Sequence, residues 1–213
     1  MSSIERFERA LTAAERRILK GLSSPARIQA FLDGVAYSTD EFYRCPLRVL
    51  RDGRAHCFDG AVFAAAMLRR IGYPALILDM LSNGRDDEHL LALFKAEGAW
   101  GAVAKSNFVG LRFREPVYRT LRELAMSYFE QYYNLEREKT LRGYTGPLDL
   151  ERFDHLDWLT VDGPMDLIAQ RTDQMRRIEL ITPSMARRLN PVDDRTYAAG
   201  LQGADPNGLF KPA

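Results

Sequence analysis

Apolar positions recur at helical spacing from the start of the chain. Ile4, Phe7, Leu11, Ile18 and Leu22 share one side of a helix, and Ser2 with Glu5 three residues on resembles the capping box that would open it. Ser24-Pro25 repeats the start signal as N-cap and first helical residue, and Gly34 closes a second helix, SPARIQAFLDG. A polar stretch bearing aromatics follows, with Pro46 opening one short helix. The pattern then changes. CFDGAVFAAAMLRRIG is apolar around nearly its whole circumference, with small residues Gly60, Ala61, Ala64, Ala65 and Ala66, as expected of a helix buried at the centre of a domain. Gly72 and Pro74 end it. PALILDML reads as an interior strand and SNGRDDE as an exposed loop. HLLALFKA, the turn EGA and WGAVAK read as a β-hairpin.

From Pro116 the pattern is helical again, with Leu121, Leu124, Tyr128 and Tyr132 on one side. A mixed stretch containing YTGP and FDHLDWL leaves room for one further strand, and GPMDLIAQRTDQMRRIEL predicts a late helix. From about residue 190 the chain is rich in Pro, Gly and Asp and is expected to run as an extended tail. No repeat or linker divides it, so residues 1–213 are expected to form one α+β domain, a buried Cys-bearing helix packed on an antiparallel sheet with flanking helices.

Composition narrows the functions. Lys+Arg 30 against Asp+Glu 29 gives a formal charge of +1, which offers no basic field for nucleic acid. No stretch approaches the roughly 20 apolar residues of a membrane span, and the charged N-terminal segment lacks a signal-peptide core. Cys45 and Cys57 are the two cysteines, too few for a disulfide framework. The expectation is a cytoplasmic protein, without partners among nucleic acids or membranes. No phosphate loop, dinucleotide fingerprint or metal-ligand spacing occurs, so no cofactor or metal is expected.

Cys57 stands where the loop RDGRAH becomes the buried helix. Free N–H groups and the helix dipole at such a position favour a thiolate, and Arg51 and Arg54 add positive charge nearby. The same N–H groups would also serve an oxyanion. A cysteine on an apolar helix is otherwise ordinary packing. His89 opens a strand after the acidic loop, where a strand-end histidine can face the N-terminus of a helix packed on the sheet. His56 suits the task less, because adjacent side chains diverge. Lys105, Arg112 and Arg114 fall close by in sequence and would hold a carboxylate or phosphate, or form a solvated face. Asp79 interrupts an apolar strand and would pair with one of these cations or lie at the strand's solvated end.

These residues resemble the transglutaminase-like, papain-related superfamily over residues 45 to 110. A Cys-helix ending in LRRIGYPA, an apolar strand, and a hairpin with His89 on its first strand and Trp100 after the turn follow that order. The resemblance implies thiol acyl chemistry on a peptide, amide or other acyl substrate by a Cys-His-Asp triad. It also leaves room for an inactive relative with a binding or structural role. The chain departs from the pattern after Trp100, reading WGAVAKSNF with no acid. A three-residue turn at 97–99 would place Asn107 opposite His89, and a two-residue turn would place Ser106 there. The expected triad is Cys57, His89 and Asn107, with Ser106 and then Asp87 as substitutes. Lys105, Ser106, Arg112 and Trp100 are the candidate substrate contacts.

Overall fold

The computed structural model describes residues 2–211. Three helices open the chain, α1 (Ser3–Ala10), α2 (Ala13–Gly21) and α3 (Pro25–Gly34). The short strands β1 (Ala36–Tyr37) and β2 (Arg54–Ala55) pair in parallel on either side of α4 (Pro46–Asp52), and α5 (Cys57–Arg70) follows. The main sheet comprises β3 (Leu76–Leu81), β4 (His89–Ala96), β5 (Ala99–Val103), β6 (Arg114–Tyr118), β7 (Gly143–Thr145), β8 (Leu148–Asp149) and β9 (Arg177–Glu179). The later helices are α6 (Leu121–Met126), α7 (Met165–Asp173), α8 (Pro183–Ala186) and α9 (Asp194–Gly200). The sheet order is β6-β5-β4-β3-β7-β9, with β8 also on β3, and its pairings are antiparallel. The expected α+β class with a cysteine-bearing helix on an antiparallel sheet is what the chain adopts.

Strand alternation gives the sheet two buried faces. Ile77, Leu90, Ala92 and Phe94 pack with α5, while Leu78, Met80, Leu91 and Leu93 pack with Leu124, Tyr128 and Tyr132 on the other side. Helix α5 is buried from Phe58 to Leu68, which explains why its sequence has no polar stripe. Gly60 is required there by close approach, because a Cβ would collide with the side-chain stem of Lys105.

Several expectations need correction. The first helix is two helices, broken at Leu11, because Thr12 and Glu15 form a second capping box that the apolar spacing runs straight through. The hairpin turn has two residues, not three. Glu97 and Gly98 both have positive φ (48° and 81°), and Ala96 pairs with Ala99. The segment around Pro116 is edge strand β6 and not helix, since its backbone pairs with β5; the helix there is the six-residue α6. The mixed stretch that left room for one further strand forms two, Gly143–Thr145 and Leu148–Asp149, and FDHL ends a 3-10 segment, Leu150–Leu156. The late helix stops at Asp173, and Arg177–Glu179 is recruited as a strand against β7. The C-terminal segment is not extended. It forms α9 and a 3-10 turn, Pro206–Gly208, anchored where Tyr133 Oη donates to the Thr196 carbonyl at 2.9 Å.

Candidate active site

Cys57 is the first residue of α5, and His56 is its N-cap. The His56 ring Nδ1 accepts from the Phe58 N–H at 3.1 Å and the Asp59 N–H at 3.5 Å, while Asp59 reaches back to the His56 N–H. Imidazole thus does the work of a Ser or Asp cap. Because Nδ1 is an acceptor, the ring is neutral, and burial beside Arg44 holds its pKa down at about 4. The cap also consumes two first-turn N–H groups that sequence reasoning assigned to an oxyanion. Asp59 is fully buried and accepts from the Arg44 N–H at 2.8 Å. The buried Arg44 guanidinium also reaches Asp40, Asp52 and Ser38, fixing the loop before α4 to the start of α5.

The thiol of Cys57 is half-buried and points its hydrogen at the Glu88 carbonyl, 3.8 Å away. Sequence reasoning expects a thiolate. The surroundings favour the opposite state: burial, then the nearby Asp87, Asp79 and Asp59, push the thiol up to about 12, with the Phe58 N–H only partly opposing them. The expected cations act elsewhere. Arg51 pairs with Glu15 on α2 at 2.8 Å, and Arg54 is exposed.

His89, the first residue of β4, is 5% exposed. Its Nε2 lies 2.7 Å from the carbonyl oxygen of Leu111, and its ring meets Tyr132 edge-on. A carbonyl can only accept, so Nε2 carries the proton and Nδ1 keeps a free lone pair. Burial lowers the ring's pKa to about 4. Cys57 and His89 line one small cavity of about 40 Å³, together with Ser106, Asn107, Tyr132 and Phe210. No hydrogen bond joins the two among the described residues, since each has another partner.

The other candidates separate. Asn107 lines the same cavity, but both polar ends of its amide bind the backbone of Asp205, at 2.8 Å each, so the expected bond to His89 is not formed. The two-residue turn would bring Ser106 opposite His89 if the ladder continued, yet β5 ends at Val103 and the Ser106 hydroxyl accepts from the Phe108 N–H at 3.0 Å. Asp87 lines both the small cavity and the larger cleft described next. Lys105 is buried with its ammonium on the carbonyls of Leu32 and Val35, closing the C-terminal end of α3. Arg112 pairs with Asp33 at 3.1 Å, and the Arg114 guanidinium stacks 3.8 Å over the Tyr128 ring. Trp100 lies near the far end of the hairpin under Lys95 and lines neither space at Cys57. Asp79 is buried and pairs with none of these cations.

A cleft of about 600 Å³ opens at Cys57, walled by Tyr37, Tyr43, His56, Asp79, Glu88 and, from the C-terminal segment, Phe210. Two contributors had no sequence signal. The Leu111 carbonyl is a backbone atom, which residue type cannot reveal. Phe210 arrives from the far end of the chain.

No family model matches the chain, and no curated protein does. Among solved structures it resembles Legionella pneumophila LapG. The first structure has a TM-score of 0.36 at 14% identity, covering 50% of this chain and 71% of that one. An EGTA-treated form gives 0.35 at 14%, covering 50% and 70%. A calcium-bound form gives 0.42 at 13%, covering 80% and 99%. No helix among the described residues is long and apolar enough to cross a membrane.

Proposed function

We propose that this chain performs cysteine-dependent acyl chemistry, amide hydrolysis or acyl transfer through a Cys57 thioester, on the transglutaminase-like, papain-related plan. The observation that carries the reading is that Cys57 and His89, from different elements, line one cavity beside a cleft that opens at the thiol. The Leu111 carbonyl takes the orienting task of a third triad member, leaving Nδ1 as the base. The resting pair is a thiol and a neutral imidazole. On attack, the Sγ proton passes to Nδ1 while sulfur bonds to the acyl carbon. The imidazolium then protonates the leaving group, and water or an amine takes the acyl group from sulfur.

A second reading is a scaffold without activity, with a binding or structural role. It is favoured by the absent Cys57–His89 hydrogen bond and by a ring that no carboxylate contacts. p-Nitrophenyl acetate separates the two. Acyl chemistry requires a hydroxylamine-sensitive acetyl group on the Cys57 peptide, formed at least tenfold more slowly in His89→Ala. Acetylation no faster than that of an ordinary thiol, or unaffected by His89→Ala, would establish the inactive scaffold.

A further inference from the structure

The cleft beside Cys57 is lined by Asp40, Asp79, Asp86, Asp87, Glu88 and Asp173, and by no lysine or arginine. Asp40 is neutralised by Arg44, and Glu88 has the exposed Arg177 3.9 Å away. The other four form no ion pair among the described residues. Asp86 has a hydroxyl donor in Thr140, at 2.6 Å.

Asp79 is the unusual member. It occupies a central strand, shares the face of Ile77 toward α5, and is 2% exposed. Its Oδ1 is buried with no hydrogen-bond partner. Burial first, and then the Glu88 carboxyl lining the same cleft, raise the Asp79 pKa to about 9, with Arg177 only partly opposing them. A buried carboxyl oxygen without a partner is satisfied by protonation of its group or by a donor brought in from the cleft. An apolar residue would fill this position of LILDML without that cost.

We propose that Asp79 and Glu88 form the recognition point for an ammonium or guanidinium group on the substrate of Cys57, a deepening that rests on the acyl-transfer reading. An incoming cation supplies several N–H donors to the two carboxyls and removes the cost of the unpartnered Asp79 oxygen. No three carboxylate, imidazole or thiol groups among the described residues converge as metal ligands, which favours an organic cation. The group belongs either to a side chain of the acyl donor or to a free amine that accepts the acyl group.

Titration of the full chain, followed by NMR, tests this with Nα-acetyl-lysine amide, Nα-acetyl-norleucine amide and n-pentylamine. The lysine amide should bind at least tenfold tighter than the norleucine amide, with shifts around Cys57 and Glu88. Asp79→Asn with Glu88→Gln should erase the difference, and Glu88→Gln alone should reduce it if the double variant does not fold. A lysine amide tighter than pentylamine assigns the cation to the acyl donor; equal affinity assigns it to the acceptor amine. Equal binding of lysine and norleucine amides, no binding of either, or a preference unchanged in the variants overturns the proposal. Cys57 acetylation in the same samples keeps the two readings apart. A cation preference beside an inert thiol retains the recognition point and removes the chemistry. A reactive thiol without preference does the reverse.

Discussion

The Nε2 of His89 lies 2.7 Å from the carbonyl oxygen of Leu111, and this one contact decides both the tautomer and the orientation of the ring. Burial disfavours the imidazolium, and a peptide carbonyl opposes that less than a carboxylate would, so the ring rests neutral. Nitrogen NMR should find Nε2 protonated and Nδ1 bare from pH 8 down to about 5, with titration near 4. The folded pKa lies below the unfolded value. The ring's share of stability is therefore complete above about 6.5 and is lost as pH falls through about 4. Titration near 6.5 in the folded protein would refute the assignment.

Alkylation of Cys57 by iodoacetamide should rise about tenfold per pH unit from 7 to 9 with no plateau, because the thiol is held up to about 12. Cys45 is pushed equally high and is 2% exposed, so Cys57 should label first through access alone. A rate already flat at pH 7 would mean a standing thiolate–imidazolium pair.

Asn107→Ala should release the C-terminal segment and leave the His89 ring in place. Both lost hydrogen bonds go to Asp205, a local cost of about 1–3 kcal/mol. Amide exchange over residues 205–210 should quicken about tenfold or more, and Cys57 labelling should rise as Phe210 leaves the cleft. Slower labelling would return Asn107 to the ring.

Arg44→Met should destabilise the fold by about 3 kcal/mol at pH 8, since it leaves Asp59 buried without its cation. The Asp59 pKa is already raised to about 7, so its neutral form is available at low pH. Ionisation thus costs stability as pH rises, and the penalty should shrink at pH 5. Urea denaturation at the two pH values measures the difference; equal penalties would count against Asp59 as the cause.

Gly60→Ala should cost about 1–3 kcal/mol, read as a lower denaturation midpoint at constant slope. The added methyl meets the Lys105 stem near the backbone, where that side chain has no freedom to swing away.

Local chemistry was enough to read much of this protein from its sequence. Ser24-Pro25 and Gly34 bracket α3, Pro46 opens α4, and the unbroken apolar circumference of residues 57–70 marks the buried α5. Such signals act within a few residues, so the sequence contains them whole. The candidate pair Cys57 and His89 was legible for the same reason, each standing at the first residue of its element. What lay beyond it was set by atoms distant along the chain. Pairing with β5 makes Arg114–Tyr118 a strand where a helix was expected from Pro116, and β7 recruits Arg177–Glu179. Asp205 claims the amide of Asn107, and the Leu111 backbone claims the ring of His89. The charge states were also decided in three dimensions. A helix start favours a thiolate, but burial among Asp87, Asp79 and Asp59 outweighs that local field, because desolvation depends on everything the fold packs around the sulfur.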